Sequence, residues 1–273
     1  LVCIMILFLS CSRLQFLHSL LPGYIERTVN SYLDLSSSDK ELLKKKTYHF
    51  MSWHKTIMLP RYARFLEGQA TLIEQDKLSN KSIMIATEDM RNLIKEVTVG
   101  AAPFIAPILV RHTSFVKTDY FRERLEENLE EKSEEMLELG GELNAERAKK
   151  IVTRIEKFTG NLTKKQKEIV YYYVKDTQKY PRVWIEIRRK RNLAVINFLS
   201  SQPSESNIQQ FIANKLFNFN ELEAPIIQKV IDDWWSRFSG FLVDLLYSLD
   251  ARQRALLSTN MQTYATDISN LIE

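Results

Sequence analysis

Histidines and carboxylates carry most acid–base chemistry and metal binding, so their spacing tests whether this chain is an enzyme. The four histidines, His18, His49, His54 and His112, are dispersed. None of them begins a His-Glu-x-x-His pattern, which would put two imidazoles on one face of a helix. The sequence also has no Gly-x-Ser-x-Gly elbow and no phosphate-binding glycine loop. We therefore predict no catalytic activity, no metal site and no bound cofactor.

The start of the chain carries a different chemistry. An apolar run from Leu1 to Leu9 is followed by Ser10 and Cys11. This run is much shorter than the roughly 20 residues that a membrane-spanning helix needs. It resembles the end of a bacterial lipoprotein signal, in which a small residue precedes the cysteine that becomes acylated. The resemblance implies a removable signal segment at residues 1–10 and a covalent lipid on Cys11.

Cys11 is followed by Ser12 rather than by an aspartate. By resemblance to sorted lipoproteins, this implies delivery to the outer membrane, with the body facing the periplasm. Each buried methylene of an acyl chain contributes about 0.8 kcal/mol, so several chains together hold a protein at the membrane. Cys3 lies in the signal segment, which leaves no thiol for a disulfide in the mature body. A periplasmic location also excludes nucleic acid as a partner.

Sparse turn residues indicate an all-α fold with a multi-helix, bundle-like body, because only 7 Gly and 7 Pro occur in 273 residues. Ile25, Val29 and Leu33 recur at the spacing of one helical face. Periodicity predicts helices over Tyr24 to Leu33, Ser36 to Pro60 with a break at Pro60, Lys81 to Val97, Ala145 to Phe158, Thr163 to Lys179, Arg182 to Leu199, Ile208 to Phe217, Leu222 to Leu249 and Ala251 to Ile272. Pro103 and Pro107 predict that Ala101 to Val110 is a buried, broken helix.

Charge divides the chain. Residues 119–146 are strongly acidic, residues 149–191 are basic, and Gly140-Gly141 lies near the switch between them. We predict a boundary there, between an N-terminal helical part (11–140) and a C-terminal helical part (141–273). The alternative is that both parts pack as one domain. The acidic stretch is typical of a solvated helix face with salt bridges to Arg122, Arg124 or Lys132. The basic stretch ends in the candidate basic surface Arg188, Arg189, Lys190 and Arg191, which either binds a ligand or pairs with the acidic stretch.

Three short patterns predict helix starts by the same mechanism. In a capping box, a Ser, Thr or Asp side chain accepts a backbone hydrogen bond, and the residue three positions later reaches back to the cap. The pairs are Ser36 with Asp39, Thr163 with Gln166, and Asp250 with Gln253. The Leu-Thr-x-x-Gln form at 162–166 is also similar to a motif of the small periplasmic chaperones of the Spy and CpxP type.

A wider resemblance combines Cys11 with three further motifs: Tyr32-Leu33-Asp34-Leu35, Trp53-His54 and Leu59-Pro60-Arg61-Tyr62-Ala63. Their order resembles an uncharacterised proteobacterial family of all-helical lipoproteins. The resemblance implies location and fold but no activity. We take Trp53, His54, Leu59, Pro60 and Tyr62 as the candidate motif cluster. The alternative is a core tryptophan beside a histidine that is hydrogen-bonded at a helix kink.

These observations predict a non-enzymatic, membrane-anchored adaptor for an unknown envelope protein. Trp234 and Trp235 would supply an aromatic anchor if they are exposed, and otherwise belong to the core. The alternative function is a chaperone-like holdase for unfolded envelope proteins. A broad, concave surface would favour the holdase, whereas a compact apolar patch would favour a specific partner.

Overall fold

The protein is helical throughout the residues that the structure, a computed structural model, describes. These are residues 11–139, 142–215 and 225–272 for the backbone, and 18–137, 142–215 and 226–272 for side chains. The helices are α1 (Cys11–Tyr32), α2 (Ser37–Trp53), α3 (Leu59–Glu74), α4 (Asn80–Leu109), α5 (Phe115–Leu139), α6 (Leu143–Thr159), α7 (Lys164–Asp176), α8 (Tyr180–Ser200), α9 (Glu205–Gln210), α10 (Pro225–Ser248) and α11 (Ala251–Ile272). No strand occurs in these ranges, which confirms the all-α, bundle-like prediction. The signal segment 1–10 and the Gly140-Gly141 boundary lie outside the described residues.

The predicted capping boxes begin α2, α7 and α11. The Asp39 N–H donates to Ser36 Oγ (3.2 Å) and the Ser36 N–H donates to Asp39 Oδ2 (3.1 Å). At α7 the Thr163 N–H donates to Gln166 Oε1 (2.9 Å). A further capping box, Ser79 with Ser82, begins α4 and was not predicted. Each box satisfies backbone donors that would otherwise have no partner at a helix start.

Two of these boxes also pair with each other across the fold. Gln166 and Gln253 are 3% and 5% exposed. The Nε2 of Gln166 donates to Gln253 Oε1 (2.7 Å), and the Nε2 of Gln253 donates to Gln166 Oε1 (3.0 Å). Each amide also donates to a backbone carbonyl, that of Ser248 (2.8 Å) and that of Asn161 (3.0 Å) respectively. This buried amide pair joins the start of α7 to the start of α11.

Pro60 breaks the regular helix as predicted. A π-helical turn, His54–Met58, separates α2 from α3, and the Leu59 N–H donates to the carbonyl of His54, five residues earlier. Pro60 has no N–H to donate, and its ring would clash with the carbonyl four residues before it in a regular helix. The wider turn relieves that clash, and α3 begins directly after it.

The prediction of a broken helix at Ala101 to Val110 is wrong, because α4 runs without interruption from Asn80 to Leu109 with Pro103 and Pro107 inside it. Ala102 and Ala106 are 2% and 0% exposed and lie in one apolar cluster with side chains of α8 and α9. This tertiary burial outweighs the local cost of proline. Among the described residues, Asn80–His112 is the one helical stretch long and apolar enough to cross a membrane. Only 22% of its apolar window is buried within the described residues, although α4 packs against α2, α9 and α10.

The two predicted parts of the chain share apolar cores. The helices α3 and α11 pack closely through Ala63, Ala70 and Ala265, which are 4%, 0% and 0% exposed. Small side chains permit this close approach of two backbones. Ile73 of α3 also packs into the core formed by α6, α7, α10 and α11. The boundary near residue 140 itself stays a prediction.

The acidic helix α5 packs against the basic helix α8. Three salt bridges of α5 nevertheless connect residues of α5 itself: Arg122 with Asp119, Arg124 with Glu127 at 2.7 Å, and Lys132 with Glu135 at 3.1 Å. Their carboxylates are largely exposed. This confirms the predicted solvated face and the three basic partners named for it.

Candidate functional site

The π-helical turn brings three members of the predicted motif cluster together. The His54 and Tyr62 ring centroids are 5.7 Å apart. Phe50 lies 5.8 Å from Trp53 and 5.9 Å from His54. Leu59 packs instead into the core between α3 and α11. Pro60, the fifth member, sets the turn that allows this arrangement.

Trp53 is held by a close contact with α4. A Cβ atom added at Gly100 would lie 2.1 and 2.2 Å from two atoms of the Trp53 indole. Glycine is therefore needed at position 100 for the indole to lie against the α4 backbone. Phe104, one turn further along α4, lies 6.1 Å from Trp53.

His54 is buried and electrically neutral. Its side chain is 4% exposed, and its Nδ1 has no hydrogen-bond partner among the described residues. Burial lowers the pKa of His54 to about 4, and the nearby His18 charge acts in the same direction. The expectation of a hydrogen-bonded histidine at the kink is therefore wrong for Nδ1. A neutral imidazole with a free nitrogen is available for a hydrogen bond to a ligand.

His54 lines a cavity of about 460 Å³ between α1, α2, α4 and α5, which we call the apolar cavity. Its walls are apolar almost throughout and come from four helices. The lining side chains include Leu21, Ile25 and Val29 of α1, Leu43 and Phe50 of α2, Val97, Ala101, Phe104 and Ile108 of α4, and Phe121 and Leu125 of α5. Several of them, such as Ile25 and Phe104, are only half-buried, so solvent reaches the cavity. A second cavity of about 460 Å³ shares Ala101 and Phe121 and extends toward α8 and α9.

The polar groups of the apolar cavity are few. Thr47 is 3% exposed, and its Oγ1, like Nδ1 of His54, is buried without a hydrogen-bond partner among the described residues. Lys46 is the one charged side chain among the described residues that line the cavity. Pockets for small molecules commonly combine apolar walls with a few polar groups that fix the ligand's orientation.

A buried carboxylate, Asp39, joins the start of α2 to basic side chains that follow α4. Asp39 is 2% exposed, and it accepts a hydrogen bond from Arg111 Nε (2.5 Å) and lies 3.6 Å from Lys117 Nζ. Burial acts to raise the pKa of Asp39, but the hydrogen bonds from Ser36 and Arg111 outweigh it and hold that pKa far below its usual range. The carboxylate therefore stays charged and ties the start of α2 to the turn Val110–His112 that follows α4.

A second concave surface, of about 640 Å³, lies between α7 and α10, and we call it the aromatic groove. Tyr173 and Phe241 stack in it with ring centroids 4.4 Å apart. Tyr172 and Tyr247 also line it and are 65% and 47% exposed. Its charged lining residues are Asp176, Arg237 and Asp244, and Arg237 forms a salt bridge with Asp176. Exposed tyrosines beside an arginine are typical of protein–protein contact surfaces.

The two tryptophans proposed as an anchor lie beside this groove, and both are half-buried. Trp234 stacks on Phe238 with centroids 5.5 Å apart and meets the edge of Trp184 at 5.8 Å. These contacts belong to the packing of α10 on α8. The anchor interpretation of Trp234 and Trp235 is therefore weaker than the core interpretation.

Three of the four residues of the predicted basic surface are exposed to solvent. Arg188, Arg189 and Lys190 are exposed on α8, whereas Arg191 is half-buried. Arg189 pairs with Glu186 at 2.5 Å. Burial lowers the pKa of Arg191 to about 10, with a contribution from the charge of Arg188. Only Arg188 to Lys190 therefore fit the predicted basic surface.

Two further predictions concern ligands. Cys11 is the first residue of α1, and its side chain lies outside the described side chains. Among the described residues, no group of His, Cys, Asp and Glu side chains is arranged to hold a metal ion.

Sequence reasoning missed most of the apolar cavity. Its walls are ordinary apolar helix positions such as Ile25 and Ala101, which look like core residues in the sequence. The available signal was indirect: the candidate Trp53-His54 pair, and Gly100 within an otherwise apolar stretch. Neither signal shows that four helices enclose a space.

Comparison with known proteins gives one family. The model described as "Family of unknown function (DUF6279)" matches residues 31–222. No curated protein and no solved structure matches the chain. Because the match covers well over half of the sequence, the chain belongs to this family, which has no established activity.

Proposed function

We propose that this member of the DUF6279 family is an outer-membrane lipoprotein that faces the periplasm and acts as a non-enzymatic adaptor for another envelope protein. The apolar run before Cys11 supports the lipid anchor. The observation that carries the adaptor role is the aromatic groove, because it combines exposed tyrosines, an arginine and carboxylates in one concavity. Residues of this kind dominate the binding energy of protein interfaces.

The charges of the groove indicate the chemistry of the partner. Arg237 is already engaged by Asp176 and, at 3.2 Å, by Asp233. Asp244, by contrast, is exposed at the rim close to Tyr172 and Tyr247. A carboxylate beside tyrosine faces fits a Lys or Arg side chain, which pairs with the carboxylate and lies over a ring. The partner is therefore a protein segment with a basic residue next to apolar ones.

The anchor has a direct test. Growth with a tagged fatty acid is expected to label the intact protein and the Cys3→Ala variant, because Cys3 lies in the removable segment. The Cys11→Ala variant is expected to remain unlabelled. Labelling that persists in Cys11→Ala would end the lipoprotein proposal.

The adaptor role is tested by a photo-crosslinking residue placed at position 172 or 171 in intact cells. Tyr171 is the matched control, since it is 55% exposed but does not line the groove. The adaptor role is supported if position 172 crosslinks to one partner in stoichiometric amount, through a basic segment of that partner. The Asp244→Asn variant is then expected to lose this crosslink. Crosslinks to many unrelated proteins, increasing in number under folding stress, would contradict the adaptor role and support the holdase role.

A further inference from the structure

The walls of the apolar cavity suit a hydrocarbon chain. Its α1 wall extends from Leu21 to Leu33, which is about 18 Å of helix at about 1.5 Å per residue. Side chains of α1, α2, α4 and α5 line this length and are apolar almost throughout. A polymethylene chain gains dispersion contacts along walls of this kind.

The polar groups of the cavity suit a carboxylate. Lys46 and Thr47 are adjacent on α2 and both line the cavity. The buried hydroxyl of Thr47 has no partner among the described residues, so it is free to donate to an anion. The Lys46 ammonium supplies the opposite charge. An unsatisfied buried polar atom is costly, and a ligand that accepts from it removes that cost.

We propose that the apolar cavity binds a free fatty acid, with the chain along α1 and α4 and the carboxylate at Lys46 and Thr47. A free acid fits better than the lipid proposed on Cys11, because acyl groups on a lipoprotein cysteine are esters or amides and carry no negative charge. The inference is independent of the adaptor role, since the aromatic groove lies on α7 and α10.

The test uses the full chain with Cys11→Ala, so that no attached acyl chain competes. The probe is cis-parinaric acid, a fatty acid whose fluorescence rises in an apolar site. We expect saturable binding of one molecule per chain, displaced by palmitate. Methyl palmitate, which lacks the charge, is expected to compete at least about fivefold more weakly, because charge-assisted hydrogen bonds are roughly twice as strong as neutral ones.

Variants locate the bound probe. Ala101→Phe adds a large side chain to the cavity wall and is expected to abolish binding, whereas Ala255→Phe, on an exposed position of α11, keeps it. Lys46→Ala is expected to weaken binding at least about fivefold, and Lys45→Ala, at an exposed neighbouring position, leaves it unchanged. Circular dichroism confirms that each variant folds.

Three results would overturn the assignment. Absence of saturable binding, or binding unaffected by both Ala101→Phe and Lys46→Ala, would remove the fatty acid from this cavity. Binding by the Cys11→Ala chain but not by the acylated chain would overturn the free acid as occupant, because the protein's own acyl chain would then fill the cavity. None of these results affects the crosslinking test of the adaptor.

Discussion

The apolar cavity and the aromatic groove are both concave, yet they are built in opposite ways. The cavity takes its walls from four helices, and Lys46 is its one charged lining residue among the described residues. The groove lies between two helices and carries three charged side chains at its surface. An apolar space with few polar groups selects a largely apolar ligand, whereas an open aromatic surface with charges suits a protein segment.

The two regions also differ in how tightly their backbones are constrained. Gly100 beside the cavity lies against the Trp53 indole, while a Cβ added at Gly240 in the groove would meet no atom within 4 Å. The cavity region therefore depends on close packing of its helices, and the groove tolerates added side-chain volume. The following predictions test this contrast.

The largest effect is expected for Gly100→Ala. The new methyl group would overlap the Trp53 ring, so the indole must leave its contacts with Phe50 and Phe104. Overpacking of this kind lowers the free energy of unfolding by up to about 3 kcal/mol. Chemical denaturation measures the loss, and Trp53→Ala in the same chain is expected to make the glycine substitution nearly neutral. An unchanged unfolding midpoint in Gly100→Ala would contradict the close contact.

The next largest loss of unfolding free energy is expected at the buried amide pair of Gln166 and Gln253. Gln253→Ala removes both hydrogen bonds of the buried amide pair and leaves the Asn161 carbonyl without its donor. We expect a loss of about 1–2 kcal/mol in unfolding free energy. Gln262→Ala, on the exposed face of the same helix, is the matched control and is expected to be neutral.

A double-mutant cycle then tests whether Gln166 and Gln253 act as a pair. Because each amide satisfies the other, the second substitution is expected to cost less than the first. Strict additivity would show that the two glutamines act only as separate helix caps.

A smaller, pH-dependent effect is expected from His54. Its pKa is lowered from 6.5 to about 4 in the folded protein, so the unfolded chain binds more protons between these values. Stability is therefore complete above pH 6.5 and falls as the pH drops toward 4. The loss amounts to about 1 kcal/mol near pH ~5.5. His54→Phe is expected to remove this part of the pH dependence in urea unfolding, and His49→Phe, at an exposed position, is expected to retain it.

The smallest effect has the opposite sign. Gly240 is exposed within α10 and has open space around its Cβ position. Gly240→Ala is expected to raise the unfolding free energy by about 0.5–1 kcal/mol, because alanine restricts the unfolded chain and favours helix. A thermal unfolding curve shifted downward would mean that the groove is as tightly packed as the cavity region.

Local patterns predicted the helices well and the binding surfaces poorly. The starts of α2, α7 and α11 were found because capping boxes depend on residues only three positions apart. The break at Pro60 was found because proline acts on its own turn of helix. Trp53 and His54 are consecutive in the sequence, but nothing in the sequence showed that His54 lines a cavity or that Gly100 admits the indole.

The helical class, most helix boundaries and the solvated face of α5 were predictable from the sequence, because each follows from contacts within about one or two turns of the chain. The remaining features depend on tertiary packing. It kept α4 continuous through Pro103 and Pro107, since burial against α8 and α9 outweighs the lost hydrogen bonds. It also paired Gln166 with Gln253 and enclosed the apolar cavity, because both arise from helices far apart in the sequence that meet only when the whole chain is packed.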